Sequence, residues 1–253
     1  MLKRRIIPIQ LLINNRLVKT KKFECHRDVG DPISSSKIYN SQYADELIVL
    51  NVDPKSRDLN NLVSVIEGLS KFCFMPLSIG GGIKNFNDAA KLINCGADKV
   101  VLNSSCYKNY DLISKIADNF GSQAIIAAID VRKNNRNTYD LYSNCGQNKE
   151  LISLEDHCKF IQDFGAGELL IQSIDNDGCM KGYDLDLIKI VNSLVKIPVI
   201  ALGGAGNYNH IKEVFLETDV SAVGCGSLFN FTDSNLLRAK SFLGNYNLNF
   251  KLV

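Results

Sequence analysis

Short apolar runs alternate with longer amphipathic segments from one end of the chain to the other. Eight runs are mostly rich in Ile, Val and Leu without alternating in polarity: Arg5–Leu11, Glu46–Val52, Pro76–Gly80, Lys99–Asn103, Ala124–Asp130, Glu168–Ile174, Pro198–Gly203 and Ser221–Cys225. A strand covered on both faces reads this way, because neither face meets water. Apolar residues at helical spacing predict helices near 33–43, 58–72, 86–95, 109–119, 153–164, 184–194, 208–216 and 233–243. The stretch Asn85–Gly96 carries both end signals, a short polar residue that opens it and a glycine that closes it. Eight strands alternating with eight helices make either a closed parallel barrel or an open doubly wound sheet. No Gly-x-Gly-x-x-Gly follows the first strand, which counts against a dinucleotide-binding open sheet.

An internal repeat favours the barrel. Glu46–Asp53 lines up with Glu168–Asp175, and Gly81-Gly82 with Gly203-Gly204, both at an offset of 122 residues. Asn103-Ser104 falls opposite Gly226-Ser227 at an offset of 123. Four βα units used twice close naturally into eight strands, whereas an open sheet gives no reason for the duplication. The fold class expected is therefore α/β, a (β/α)8 TIM barrel built from two repeated half-barrels. A length of 253 residues is used up by one such domain, spanning 1–253, with half-barrels roughly at 1–122 and 123–253.

Composition changes this picture little. A net charge of +2 argues against nucleic acid as a partner, since that needs a concentrated basic face. No apolar run is long enough to span a bilayer. The start, MLKRRIIPIQLL, lacks the small-residue cleavage site of a signal peptide, so a cytoplasmic protein is expected. The eight cysteines are scattered and form no Cys-x-x-Cys pair, as free thiols in a reducing compartment would. With His26, His157 and His210 far apart as well, neither a metal site nor a cofactor is implied.

Candidate chemistry sits at strand ends. Glycines directly after a strand let backbone N–H groups approach an anion, and a helix start behind them adds unpaired donors. Gly81 and Gly82 with Asn103 and Ser104 make one such corner; Gly203 and Gly204 with Gly226 and Ser227 make the second. Two anion corners across one mouth suit an elongated, phosphorylated small molecule. Asp130 ends the fifth strand, where barrel catalytic residues sit, and Asp177 follows the sixth, placed to bind substrate hydroxyls. The repeat puts Leu11 opposite Asp130, and leucine transfers no proton. Long segments after the first strand (13–31, with Arg16, Lys19, Lys21, Lys22 and Arg27) and after the fifth (132–150, a predicted hairpin) are candidate lids. At the opposite strand ends Arg5, Glu46, Lys99 and Glu168 form either a salt-bridged ring at the barrel bottom or four solvated surface charges.

The sequence as a whole resembles the cyclase subunit of imidazole glycerol phosphate synthase, the HisF family. The resemblance rests on RIIPI at 5–9, RDVGDP at 27–32, GGGI at 80–83, GADKVVLNS at 96–104, FGSQAIIAAID at 120–130, GAGE at 165–168, SIDNDG at 173–178, GYD at 182–184 and GGAG at 203–206. It implies a (β/α)8 barrel that receives ammonia from a glutaminase partner docked at the barrel bottom. The ammonia passes a charged gate, matched here by Arg5, Glu46, Lys99 and Glu168, and travels to a bis-phosphorylated substrate. Asp98 matches a partner-contacting aspartate, and Lys19 the lysine of a mobile first loop.

The departures matter as much. Family cyclases use two aspartates as acid and base; one matches Asp130, while the other falls at Leu11, and Asn51 stands where the family usually has Asp. Losing one proton-transfer group costs about 10²–10⁴-fold in rate. The resemblance also extends to second copies of this subunit beside surface-polysaccharide genes, which are thought to supply ammonia to a sugar amidotransferase that amidinates an N-acetyl sugar. The expected function is therefore ammonia channelling for such a reaction. The alternatives are the cyclase of histidine biosynthesis and a non-catalytic scaffold that activates the glutaminase.

Overall fold

The computed structural model describes residues 3–250. Eight parallel strands form a closed ring: β1 (Arg5–Ile13), β2 (Leu47–Asn51), β3 (Leu77–Gly80), β4 (Lys99–Leu102), β5 (Ile125–Lys133), β6 (Glu168–Ser173), β7 (Val199–Leu202) and β8 (Ala222–Cys225). Each pairs with its sequence neighbours, β8 returns to β1 through Ile7 opposite Gly224, and β5 meets β6 through Asp130 opposite Gln172. The helices that cover this ring are α1 (Pro32–Ser41), α2 (Leu59–Ser70), α3 (Phe86–Asn94), α4 (Asp111–Phe120), α5 (Leu154–Asp163), α6 (Leu185–Leu194), α7 (Tyr208–Glu217) and α8 (Leu236–Gly244). The fold is a (β/α)8 barrel.

Local sequence accounts for the helix starts. Seven of the eight open on Asp, Asn or Ser whose side chain accepts a backbone N–H of the first turn: Asp31, Asp58, Asn85, Ser153, Asp184, Asn207 and Asn235. Each cap satisfies a donor that the helix itself leaves unpaired, which is typically worth about 1 kcal/mol. At Asn85 the arrangement is reciprocal, since Asp88 accepts from the Asn85 N–H in return.

The strands bury both faces, and alternate residues serve two separate apolar layers. Ile7, Ile9, Ile48, Ile126, Leu170 and Ile200 fill the inside of the ring, while Ile6, Leu12, Leu47, Val49, Ile125 and Leu169 pack outward against the helices. On β1 this alternation sends Gln10 outward, where its amide donates to Pro32 O and Ser36 Oγ on α1. It turns Leu11 inward, against the inner layer.

The segment expected as a loop at 13–31 is instead a β-hairpin. Arg16–Lys21 pairs antiparallel with β1 and with Glu24–Gly30. Asn14 and Asn15 both take positive φ, 50° and 58°, the geometry of a tight I′ turn, and Lys22 and Phe23 repeat it at 56° and 66°. Leu17 and Val18, buried at 0% and 2%, anchor the hairpin under its lysines. The segment after the fifth strand is also a hairpin, with Tyr139–Ser143 paired to an extension of β5 and to Asn148–Lys149.

The last helix ties back to the first strands. Lys240 Nζ donates to Asp45 Oδ1 at 2.6 Å and to Tyr43 O at 2.8 Å, while Asp45 Oδ2 accepts from the Ile6 N–H at 3.0 Å. Both charged side chains are at most 5% exposed. Removing the ammonium leaves a buried carboxylate without its cation. Lys240→Ala should cost about 3–5 kcal/mol, read as a lower urea midpoint at unchanged slope. A loss under about 1 kcal/mol would refute the tie.

Candidate functional site

At the barrel bottom the structure brings Arg5, Glu46, Lys99 and Glu168 together. Arg5 donates through Nη1 to Glu46 Oε2 at 2.8 Å and through Nη2 to Glu168 Oε2 at 2.5 Å. Lys99 Nζ reaches Glu46 Oε2 at 3.0 Å and Glu168 Oε1 at 2.5 Å. The four belong to the starts of β1, β2, β4 and β6, which lie on different sides of the ring, so their side chains meet across the barrel end. Charges alternate around the ring and cancel. Ser78 Oγ donates to Glu46 at 2.5 Å, and Ser221 Oγ accepts from Arg5 at 3.2 Å. Burial pushes the Glu168 carboxyl up, but its bonds to Arg5 and Lys99 outweigh that and hold it below the usual carboxylate range. Asp98 lies exposed beside this ring, its Oδ2 accepting from the Leu77 N–H at 2.8 Å.

At the mouth, Gly203, Gly204, Gly226 and Ser227 line a cleft shared with Leu11, Lys19 and Asp177. Gly204 has φ 110°, and a Cβ there would lie 1.9 Å from Gly182 O, so only glycine fits. Gly226 faces Lys19, whose Nζ would lie 3.0 Å from a Cβ at that position. Lys19 reaches in from the first hairpin and donates to Ile9 O at 2.5 Å. Burial lowers its pKa to about 8, although the Asp177 charge pulls the other way. Asp177 accepts from Thr20 Oγ1 at 2.7 Å and from the Phe23 N–H and Gln172 Nε2 at 3.3 Å. Its pKa is nonetheless raised by burial.

Asp130 ends the barrel portion of β5. Burial first, and then the Asp177 charge, raise it to about 7, against the hydrogen bond from Asn103 Nδ2 at 3.2 Å. Groups that titrate near neutrality in one mouth are suited to proton transfer. On the β1 side Leu11 offers no such group and instead carries the apolar interior up to the cleft.

The other glycine corner is built alike and covered. Gly81 and Gly82 have φ 98° and 90°, and a Cβ on Gly81 would strike Asn51 O at 2.1 Å. Ser104 Oγ donates to Asn103 Oδ1 at 3.2 Å and accepts from the Asn144 N–H of the second hairpin at 3.0 Å. Arg57, Thr20, Phe23 and Asn144 were not singled out from the sequence. Thr20 and Phe23 neighbour Lys19, and Asn144 lies in the Asn-rich stretch, but nothing in the sequence joins Arg57 to Cys145. Of the histidines, His157 is buried against Tyr110 OH at 2.6 Å and lowered to about 4 by burial, while His210 Nδ1 accepts from the Gly206 N–H at 3.2 Å behind the second glycine corner. No group of three or more His, Cys, Asp or Glu that could hold a metal ion exists among the described residues, and no described helix is long and apolar enough to cross a membrane.

The Asp130 shift has a thermodynamic signature. The unfolded chain ionises this group in the ordinary carboxylate range, while the folded chain keeps the proton up to about pH 7. Stability is therefore lost as pH rises through that window. Asp130→Asn should stabilise the protein by about 2–4 kcal/mol at pH 8 and by little at pH 4, measured by urea unfolding. A gain that does not grow with pH would rule out a raised Asp130.

Comparison with known proteins bears on what this site belongs to. The sequence matches the family described as Histidine biosynthesis protein over residues 5–234. It is 36% identical over 251 residues to the imidazole glycerol phosphate synthase subunit HisF of Alkaliphilus metalliredigens (strain QYMF), covering 99% of this chain and 100% of the relative. It is 38% identical over 252 residues to the HisF subunit of Bacillus cereus (strain AH187), covering all of both chains. The HisF subunit of Staphylococcus carnosus (strain TM300) is 38% identical over 244 residues, 96% of each. With likeness of that extent, joined to a closed (β/α)8 barrel, this chain belongs to the histidine biosynthesis protein family and groups with its HisF members.

Proposed function

We propose that this chain is the ammonia-receiving subunit of a glutamine-dependent, HisF-type synthase of the cytoplasm. On this reading a glutaminase docks at the barrel bottom, near Asp98. Its ammonia enters through Arg5, Glu46, Lys99 and Glu168 and crosses the apolar interior. The chain acts as one domain, 1–253, whose half-barrels at roughly 1–122 and 123–253 each contribute a phosphate corner at the mouth. The observation that carries the reading is the closed ring of four charges over an interior lined by Ile7, Ile48, Ile126 and Ile200. Ions are disfavoured in such an interior, while a small neutral amine passes at low cost.

The acceptor has two readings, each with its own support. The names of the relatives favour cyclisation. A bis-phosphorylated ribulosyl aminoimidazole carboxamide intermediate and ammonia would give imidazole glycerol phosphate and aminoimidazole carboxamide ribotide, as in histidine biosynthesis. Asp130 then serves as one proton carrier, with Lys19, Asp177 and the corners of Gly81, Gly82, Asn103 and Ser104 and of Gly203, Gly204, Gly226 and Ser227 holding the substrate. Leu11 favours the second reading, in which ammonia passes to a sugar amidotransferase for amidination of an N-acetyl sugar in surface-polysaccharide synthesis.

A cyclase assay with free ammonia separates them. Turnover matching that of a HisF relative supports cyclisation; turnover that rises about 10²-fold or more only in Leu11→Asp supports the second reading. The ring is tested independently with a glutaminase partner. Lys99→Ala or Glu168→Ala should lower glutamine-driven turnover at least tenfold more than ammonia-driven turnover. Equal losses in both assays would mean that the ring gates nothing.

A further inference from the structure

Lys19 carries an ammonium into the mouth cleft, yet its surroundings suit a neutral amine better than a cation. The residue is 4% exposed, and its Nζ donates to a neutral acceptor, Ile9 O, at 2.5 Å. Among the described residues no carboxylate hydrogen-bonds it, and Asp177 acts on it through charge alone. The Asp177 oxygens are engaged elsewhere, by Thr20 Oγ1 at 2.7 Å and by the Phe23 N–H and Gln172 Nε2 at 3.3 Å. Ile9, Leu11 and Leu202 give the cleft an apolar wall. A Cβ on Gly226 would lie 3.0 Å from Nζ, so the glycine leaves one flank of the amine open. The cleft holds about 30 Å³ of open space, room for roughly two water-sized groups.

We propose that Lys19 forms a reversible imine with the carbonyl carbon of a small or acyclic aldehyde or ketone that enters this cleft. The inference rests on the reading of the mouth as a substrate site, and gives Lys19 a covalent part there in place of a purely electrostatic one. The Nζ lone pair attacks the carbonyl carbon, one proton moves from nitrogen to oxygen, and a carbinolamine results. Its C–O bond then breaks, the hydroxyl leaves as water with a proton from Asp177, and the remaining N–H proton returns to Asp177. Amine and carbonyl thus give imine and water, and nothing is oxidised or reduced. Asp177 suits the donor's part because burial raises its pKa.

Only the neutral amine is a nucleophile, and burial lowers Lys19 to about 8. At about pH 7.5 such an amine is neutral in roughly a quarter of molecules, against about one in a thousand for an ordinary lysine. Leu11 is part of the cause. It sits opposite Val18, next to Lys19 in sequence, and lines the same cleft. A carboxylate at that position would hold the ammonium charged, whereas leucine desolvates it. The residue that removes a proton carrier from the mouth therefore helps supply it with a nucleophile.

The unmodified chain carries its own controls, since Lys21 and Lys22 lie exposed in the same hairpin. Glycolaldehyde is small enough for the cleft, and sodium cyanoborohydride reduces any imine it forms to a stable secondary amine that peptide mass spectrometry locates. At about pH 7.5, Lys19 should be labelled at least tenfold faster than Lys21 and Lys22, and the preference should vanish in urea. Leu11→Asp should slow labelling at Lys19 at least fivefold and leave Lys21 and Lys22 unchanged, while the uncharged Leu11→Asn keeps the preference for Lys19. Labelling of Lys19 no faster than that of its two neighbours overturns the proposal, as does an equal rate in the unmodified chain and Leu11→Asp. Neither ammonia nor a glutaminase takes part, so failure here leaves the ring experiment and the cyclase assay standing, and a chain that cyclises nothing can still be labelled at Lys19.

Discussion

Four charged side chains are buried or half-buried at one end of the barrel, and each is tolerable there only because the other three are present. Isolated, any one of them would carry a desolvation penalty of several kcal/mol. Paired alternately, Arg5 and Lys99 each bridge Glu46 and Glu168, and every carboxylate oxygen among them takes at least one donor. This constraint reaches the rest of the molecule. It fixes the starts of β1, β2, β4 and β6 relative to one another, and so the register in which the ring of strands closes. It also puts a polar floor under an interior that is otherwise aliphatic from Ile7 to Leu202. A barrel packed only with branched side chains would be equally stable without that floor, since well-packed apolar replacements of buried ion pairs are often neutral or stabilising. The ring is thus better understood as a device that specifies geometry than as a source of stability.

Much of this was legible in the sequence because it follows from short-range rules. Strands covered on both faces have to be apolar throughout, and all eight predicted strands occur, most with edges one residue inside the prediction. Asn85 announced a helix start, and the structure caps it, like the helix at Asn207, with the same side-chain geometry, φ −149° and −158°. What was not legible depends on contacts between segments far apart. The basic residues of 13–31 mark a candidate lid but not its hairpin, whose register is set by two I′ turns and by the buried Leu17 and Val18. The Asn14-Asn15 pair is a turn signal, since both residues tolerate the positive φ that a type I′ turn requires. Arg57 had no signal at all, since its partner Cys145 is 88 residues away and a lone Arg-Cys contact has no sequence pattern.

The two glycine corners share a backbone plan but have diverged in their side chains. Gly81 and Gly203 hold nearly the same φ, 98° and 99°, because in each case the chain passes within contact of the preceding strand end, at Asn51 O and Ser173 O. At the next strand the plan splits. Asn103 spends its amide on Ala128 O and Asp130, whereas Gly226, lacking a side chain, makes room for Lys19. One corner is therefore tied to the carboxylate and the other to the ammonium. The positive and negative members of the mouth come from opposite half-turns of the barrel and meet through Asp177, which is close enough to raise Asp130 and to oppose the lowering of Lys19.

Leu11 must be weighed inside that electrostatic arrangement. A second carboxylate at this position would line the cleft that Asp177 and Lys19 already share, and it would face Asp130 from the opposing strand. Like charges that close cannot all ionise, so one would hold its proton and serve as an acid at neutral pH. With leucine there, Asp177 is raised by burial, and the groups poised near neutrality include Asp130, at about 7, and Lys19, at about 8, both buried. Their protonated forms differ in charge: one is a neutral acid and the other a cation beside an aspartate. The mouth thus holds two buried carboxyls of raised pKa, Asp130 and Asp177, beside one ammonium of lowered pKa, Lys19. Leu11 extends the apolar wall of the interior up to this cleft.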